Sequence, residues 1–305
     1  MHQKSSVPVF LFVLLMISLS VIFRASNNSN ATVPAVQSVT YNPFTKIEAV
    51  KIPEKLSFAG EQVPLKSFDV RERLDRELLV NTYWHSNSLQ LFKLSARYFP
   101  EIEKILKENG VPEDFKYLAL AESGLRNVIS PSDAAGFWQF LESAGRENGL
   151  EVNSVVDERY HIELSTKAAC NYLKKAHEEF GSWTLAAASY NMGKNRLRKI
   201  IEEQKVDSYY DLFMNDETSR YVFRILALKE IVGNPKQYGF YLDEKDFYEP
   251  LRTRSVSVDE SIDDLASFAL QYGTNYKTLK LLNPWLRQPY LHVKRGKVYS
   301  VQLPV

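Results

Sequence analysis

The sequence has little of what disulfide-bonded, metal-binding or nucleotide-binding proteins need. Among 305 residues there is one cysteine, Cys170, which excludes an internal disulfide and a cysteine-based metal site. The five histidines form no ligand cluster at helical spacing, and no glycine-rich phosphate loop occurs. Lysine and arginine number 38 against 37 acidic residues, so the chain has no overall electrostatic footprint for nucleic acid. We therefore expect no metal, no cofactor and no nucleic-acid partner.

The N-terminus has the composition of a targeting or anchoring segment. An apolar run, 7–23, follows His2 and Lys4, and its length is near the lower limit for a spanning helix. Residues after it are rich in Ser, Asn, Thr and Pro without periodicity. We predict a signal peptide or membrane anchor at 1–24 and a flexible linker at 25–52. The remainder is then expected outside the cytoplasmic membrane, in the periplasm or cell envelope.

Helical periodicity dominates the region after the linker. Asp69 opens one helical pattern, Ser86 opens a second, and Pro100 is predicted to start a third that stops at Asn109-Gly110. Cys170 lies among apolar residues at helical spacing, which predicts a small buried side chain.

Glu122 lies on the apolar stripe of the next predicted helix. Phe115, Leu118, Ala119 and Glu122 fall at i, i+3, i+4 and i+7, and Gly124 is suited to end the helix. Burial disfavours the charged form of a carboxyl group, so a buried Glu122 would be a proton donor near neutral pH. The alternative is a surface glutamate on a helix whose register differs by one residue.

Two later stretches carry residue types suited to binding sugars. Phe137 and Gln139 belong to an aromatic and amide cluster that follows small residues, and Tyr190 and Asn191 close an alanine-rich helix. An aromatic face can stack on a sugar, and a side-chain amide can donate to and accept from an N-acetyl group. Asn-x-Gly is also an ordinary helix stop, so the second stretch alone is a weak signal.

Taken together and in order, four motifs resemble those of family 1 lytic transglycosylases, enzymes that cut peptidoglycan. They are A-E-S-G-L at 121–125, A-G-F-W-Q-F at 135–140, S-Y-N-M-G at 189–193 and E-T-S-R-Y-V at 217–222. The resemblance implies a mainly α, lysozyme-like catalytic domain over 53–245, with its core at about 110–235. It implies Glu122 as the catalytic residue and a tyrosine hydroxyl, that of Tyr221, near it. It further implies that Ser123, Phe137, Gln139, Tyr190, Asn191 and Tyr221 bind the substrate.

The activity implied by this resemblance is non-hydrolytic cleavage of the bond between N-acetylmuramic acid and N-acetylglucosamine, with formation of a 1,6-anhydro ring. The expected partner is a peptidoglycan glycan strand, and we expect the protein to be a monomer. The sequence does not identify any protein partner in the cell envelope. One competing interpretation is a goose-type muramidase, for which Asp133 or Glu142 would be the second carboxylate. The other is a non-catalytic peptidoglycan-binding envelope protein. The chain departs from the family pattern at His161, where aspartate is common.

The C-terminal residues, 253–305, are predicted to form a separate small module. Strand, helix, helix and strand patterns follow one another, and L-L-N-P-W-L at 281–286 resembles a LysM module. Such modules bind N-acetylglucosamine in glycans. Glu260-Ser261-Ile262 stands where that family has Asp-Thr-Leu, so a packing module without glycan affinity is the alternative.

Overall fold

Helices form most of the part of the chain that the structure describes, as predicted. The computed structural model describes residues 47–305, so the predicted signal peptide or anchor and most of the predicted linker lie outside it. Within that part, no helix has the length and apolar character needed to cross a membrane. The helices are α1 Phe68–Tyr83, α2 His85–Glu108, α3 Lys116–Ser123, α4 Glu142–Glu147, α5 Ile162–Phe180, α6 Trp183–Met192, α7 Lys194–Gln204, α8 Asp216–Gly233, α9 Leu265–Gln271 and α10 Tyr276–Leu282.

Helix α8 packs against several of the other helices. Its residues Val222, Ile225 and Leu226 are fully buried, and it contacts α1, α3 and α6. Asn215 caps its N-terminus by accepting a hydrogen bond from the backbone N–H of Thr218 at 2.9 Å. This packing brings α8 beside α3, the helix that carries Glu122.

The prediction that Pro100 starts a helix is wrong, because α2 runs without a break through it. A proline inside a helix forfeits one backbone hydrogen bond. The apolar face of α2 continues across the proline, with Phe92, Phe99, Ile102 and Leu106 all buried. Burial of that long stripe compensates for the lost hydrogen bond.

Two short strands precede α1, and two longer ones belong to the C-terminal module. Strand β1, Ser57–Phe58, pairs with β2, Glu61–Gln62, in a tight hairpin. Strand β3, Thr253–Val258, pairs antiparallel with β4, Tyr299–Pro304, and α9 and α10 lie between them in sequence. The predicted order of strand, helix, helix and strand is therefore confirmed.

The described residues form two apolar clusters. The larger cluster holds the helices up to α8, and Cys170 is fully buried in it, as predicted. The smaller is built around the C-terminal module but also includes Ala135, Val156 and Tyr160. The module therefore shares a core with the region that follows α3.

Candidate active site

Helix α3 places Glu122 one helical turn after its buried residues Leu118 and Ala119. Phe115, Leu118 and Ala119 are fully buried beneath it, whereas Glu122 itself is half-buried. Gly124 ends the helix with φ of +60°, and its backbone N–H donates to the carbonyl of Leu120 at 2.9 Å. The carboxyl group of Glu122 therefore sits at the edge of the core with limited access to water.

The surroundings of Glu122 raise its pKa from 4.5 to about 7. Burial is the largest cause, because it disfavours the charged carboxylate. A hydrogen bond from Tyr221 and the positive charge of Arg224 both act in the opposite direction. Glu122 therefore keeps its proton at higher pH than an exposed glutamate does.

Tyr221 is the direct partner of Glu122. Its hydroxyl donates a hydrogen bond to Oε1 of Glu122 across 99 residues of sequence. Burial and the charge of Glu122 hold the pKa of Tyr221 well above its usual range, so the phenol stays a donor. The hydroxyl of Tyr221 thus lies beside Glu122, while the catalytic role of the pair remains a prediction.

Arg224 lies one helical turn after Tyr221 on α8, at ion-pair distance from a buried carboxylate. Its Nε is 3.9 Å from Oε2 of Glu77, which is 1% exposed and also bonded to Arg220 at 2.5 Å. Sequence reasoning missed both Glu77 and Arg224. Glu77 could have been found, because it falls on the same apolar stripe as Leu74 and Leu78.

The segment 133–140, here called the catalytic loop, is anchored by its own backbone carbonyls. The carbonyl of Phe137 accepts from Oγ of Ser123 at 2.9 Å, and that of Trp138 accepts from the hydroxyl of Tyr190 at 2.7 Å. Trp138 is fully buried, and its indole N–H donates to Thr166 at 2.9 Å. These bonds tie the loop to helices α3, α5 and α6.

The structure gives Ser123 and Gln139 contacts within the protein. Ser123 is buried, and the amide of Gln139 donates to the carbonyls of Gly136 at 2.8 Å and Val128 at 3.1 Å. Phe137 is also buried, with its ring 4.8 Å from that of Tyr98 in an edge-to-face contact. It lines a cavity of about 490 Å³ between helix α2, the start of α5 and the C-terminal module. Substrate binding by these three residues remains a prediction.

Tyr190 and Asn191 differ in how much surface they offer. The ring of Tyr190 packs edge-to-face on Phe140 and Tyr172, with centroids 5.7 and 5.1 Å apart. Burial raises the pKa of Tyr190 well above its usual range, and the charge of Glu122 adds to the effect, so the two groups are neighbours. Asn191 is exposed at the end of α6, and its side-chain amide makes no hydrogen bond with any described residue.

The fold and the site together define the class of protein: a lysozyme-like helical domain in which a glutamate of raised pKa, Glu122, accepts a hydrogen bond from a tyrosine. Comparison with known families agrees. The model of the transglycosylase SLT domain matches residues 99–213, and that of the soluble lytic transglycosylase C-terminal LysM-like domain matches 254–305. The chain therefore contains an SLT domain followed by a LysM-like domain. Tyr221 lies beyond the end of the SLT match.

Of three similar curated proteins, two are named as lytic transglycosylases. Membrane-bound lytic murein transglycosylase D of Escherichia coli K12 is 29% identical over 236 residues, which is 74% of this chain and 51% of the relative. The protein of the same name from E. coli O6:H1 gives the same figures. A putative tributyltin chloride resistance protein of Alteromonas sp. strain M-1 is 28% identical over 116 residues, 36% of this chain and 56% of the relative. The chain thus spans about half the length of the curated relatives it matches.

Proposed function

We propose that this protein is a peptidoglycan lytic transglycosylase with Glu122 as its single acid–base residue. The observation that carries the proposal is the carboxyl group of Glu122, which has a pKa of about 7 and accepts a hydrogen bond from Tyr221. A general acid works best when its pKa lies near the working pH. Both domain matches, to an SLT domain and to a LysM-like domain, support the same class.

The reaction follows from one carboxyl group that acts twice. Protonated Glu122 gives its proton to the oxygen that links N-acetylmuramic acid to N-acetylglucosamine, and the bond from that oxygen to C1 of the muramic acid breaks. An oxocarbenium-like centre forms at C1. The carboxylate of Glu122 then accepts the proton of the C6 hydroxyl of the same sugar, whose oxygen bonds to C1. No water is consumed, and the product ends in a 1,6-anhydro ring.

The neighbours of Glu122 suit the second half of this cycle. After proton donation, Glu122 is a carboxylate in a poorly hydrated place, which is costly without partners. Tyr221 donates to it, and the positive charge of Arg224 stabilises it. Asn191 and the ring edge of Tyr190 are the proposed contacts of the sugar.

The carboxylates that a muramidase would need are engaged or exposed. Retaining and inverting glycosidases use two carboxyl groups that flank the scissile bond. Asp133 is exposed, and Glu142 is exposed and paired with Arg146 at 2.7 Å. Glu77 is buried but bonded to Arg220. Of these three carboxylates only Glu77 is buried, and Arg220 neutralises it, so the products of digestion decide between transglycosylase and hydrolase.

We further propose that the catalytic domain spans 53–245 and the LysM-like module 253–305, ranges that contain the two family matches. Location outside the cytoplasmic membrane, in the periplasm or cell envelope, follows from the predicted signal peptide or anchor. The name of the E. coli relatives, which calls them membrane-bound, supports it. Glycan strands of peptidoglycan are the proposed substrate, and a monomer remains our prediction.

The decisive experiment digests purified sacculi with the full chain and with Glu122→Gln, and identifies the soluble products by mass. We expect 1,6-anhydro ends from the unmodified protein and none from the variant. Glu142→Gln is the matched control, because it makes the same change on the exposed helix α4 and is expected to leave the products unaltered. Reducing ends would identify a muramidase, and absence of release by any of the proteins would identify a non-catalytic binder.

A further inference from the structure

The C-terminal module, residues 253–305, pairs by backbone hydrogen bonds with residues 151–161, here called the brace segment. The N–H of Asp157 donates to the carbonyl of Trp285 at 2.9 Å, and the N–H of Arg287 donates to the carbonyl of Val155 at 2.8 Å. Bonds that run both ways between two segments set their register and direction. The module is therefore fixed in orientation, unlike a domain on a flexible tether.

Side chains strengthen this junction on its polar side. Lys297 is 3.0 Å from the carboxylate of Glu151, which also accepts from the hydroxyl of Tyr299 at 3.0 Å. The guanidinium of Arg287 lies over the ring of Tyr160, 4.2 Å from its centre. Two cations of the module thus meet an acidic and aromatic face of the brace segment.

The junction also has an apolar centre. Val156 of the brace segment and Ala135 of the catalytic loop are both buried in the cluster that contains Trp285 and Leu286. Val156 and Leu286 are bridge partners in an antiparallel pairing. Since Ala135 belongs to the catalytic loop, the loop itself contributes to the core of the module.

Arg159 connects the brace segment to the catalytic loop. Its Nε and Nη2 bind the carboxylate of Asp157 at 2.9 and 2.7 Å, and the pair is buried. Its Nη1 donates to the carbonyls of Asp133 at 2.9 Å and Phe140 at 3.1 Å, the two ends of the loop. The planar guanidinium can make these bonds at once, which a lysine cannot.

The loop is packed on the brace segment without spare room. Gly136 has φ of +79°, and a Cβ there would lie 1.8 Å from the carbonyl oxygen of Arg159. The next loop residues hold the catalytic neighbourhood, since the carbonyl of Phe137 binds Ser123 and that of Trp138 binds Tyr190. A continuous series of contacts therefore runs from the module to the residue beside Glu122.

We infer that the C-terminal module is a fixed part of the active-site framework, and that Arg159 is the positioning residue through which it holds the catalytic loop. This role is separate from glycan binding, the usual expectation for a LysM-like module. Its kinetic consequence rests on the proposed transglycosylase function. Its structural consequence, protection of the loop backbone, does not.

The first test opens the junction in the full chain by charge reversal. Arg287→Glu with Lys297→Glu places one carboxylate against Glu151 and removes the cation over the ring of Tyr160, without altering the core of the module. The matched control is Lys294→Glu with Arg295→Glu, which makes the same change in net charge at exposed positions. The side chains of these two residues make no ion pair or hydrogen bond with any described residue.

Amide hydrogen exchange measures whether the junction and the loop have opened. The N–H groups of Asp157 and Arg287 report on the junction, and those of Ala135 and Gly136 report on the loop. We expect exchange at both pairs to rise by about tenfold or more in the junction variant and to stay unchanged in the control. If the junction stays closed, Leu286→Asp replaces the charge reversal. Loop amides that keep their protection while the junction opens would overturn the inference.

The second test changes the connecting residue itself. In Arg159→Lys we expect the loop amides of Ala135 and Gly136 to lose protection while those of Asp157 and Arg287 at the junction keep theirs. Unchanged protection of the loop in this variant would remove Arg159 from the assigned role.

Kinetic measurements distinguish a positioning role of Arg159 from a simple loss of folded protein. A loosened loop admits water near Glu122, so the high-pH limit of activity should shift to lower pH in both Arg159→Lys and the junction variant. We expect kcat to fall about tenfold with KM nearly unchanged. Simple unfolding would lower activity equally at every pH, and that result would contradict the positioning role. If the unmodified protein has no activity, the proposed function fails, while the exchange measurements still decide the inference.

Discussion

Removal of the Tyr221 hydroxyl should raise the pKa of Glu122 further. In Tyr221→Phe the carboxylate loses a charge-assisted hydrogen bond, the largest of the effects that lower its pKa, while burial, which raises it, stays the same. A hydrogen bond to a charged group contributes about 1.5–3 kcal/mol. At about 1.4 kcal/mol per pKa unit, the pKa should rise by roughly 1–2 units above its starting value of about 7.

The sign of the effect on activity follows from the role of Glu122. Donation requires the protonated form, so activity should be present below pH 7 and be lost as the pH rises through about 7. In Tyr221→Phe this loss should move to higher pH, although the maximal rate should fall by about tenfold or more, because the carboxylate formed after donation lacks its donor.

The assay is the pH dependence of sacculus digestion, paired with a carbon NMR titration of the Glu122 carboxyl group. Tyr209→Phe is the control, because it removes a buried hydroxyl that donates to the backbone carbonyl of Ser219 at 2.8 Å. It should leave the midpoint near 7. A midpoint that stays in place or falls in Tyr221→Phe would refute the assignment of the hydrogen bond, and a starting midpoint near 4.5 would refute the effect of burial.

Three further changes test separate parts of the site. As the pH rises from about 4.5 to above 7, Glu122→Gln should become more stable than the unmodified protein, by up to about 3 kcal/mol in denaturant unfolding. The reason is that the unmodified folded protein must lose a proton from a carboxyl group of raised pKa over that pH range, which the glutamine does not carry. Gly136→Ala should lose about 3 kcal/mol or more of stability in the same assay, since its Cβ would collide with the carbonyl of Arg159 and its φ is positive. Asn191→Ala should raise KM about tenfold with unfolding free energy within about 0.5 kcal/mol, because its exposed amide is free to bind the sugar.

The local part of the site could be predicted from the sequence. The helix around Glu122 and its end at Gly124 depend on spacing and on a residue that tolerates positive φ, and both are properties of a few adjacent residues. The hydrogen bond to Tyr221 joins positions 99 apart and was expected only through the family resemblance. No periodicity argument reaches a partner at that distance.

Other features depend on tertiary contacts that local sequence patterns do not specify. Pro100 was predicted to start a helix. Helix α2 instead continues through it, because one face of that helix is buried on both sides of the proline. Ser123 and Gln139 are polar residues in motifs, yet which acceptors they meet is decided by the fold of the catalytic loop. The docking of the C-terminal module joins segments more than 100 residues apart, such as Asp157 and Trp285, and no motif marks it.

The properties of Glu122 arise from opposing effects, of which burial is the largest. Burial by itself would hold the proton so tightly that the acid would be weak and the carboxylate a costly product. Tyr221 and Arg224 stabilise the charged form and bring the pKa back to about 7, where donation and acceptance of a proton are nearly balanced. Because a self-attacking sugar requires both steps from one group, this balance, and not burial alone, is what suits Glu122 to the proposed reaction. Arg224, at ion-pair distance from Glu77, is the second and smaller of the two groups that lower this pKa, after the tyrosine that the family motif contains.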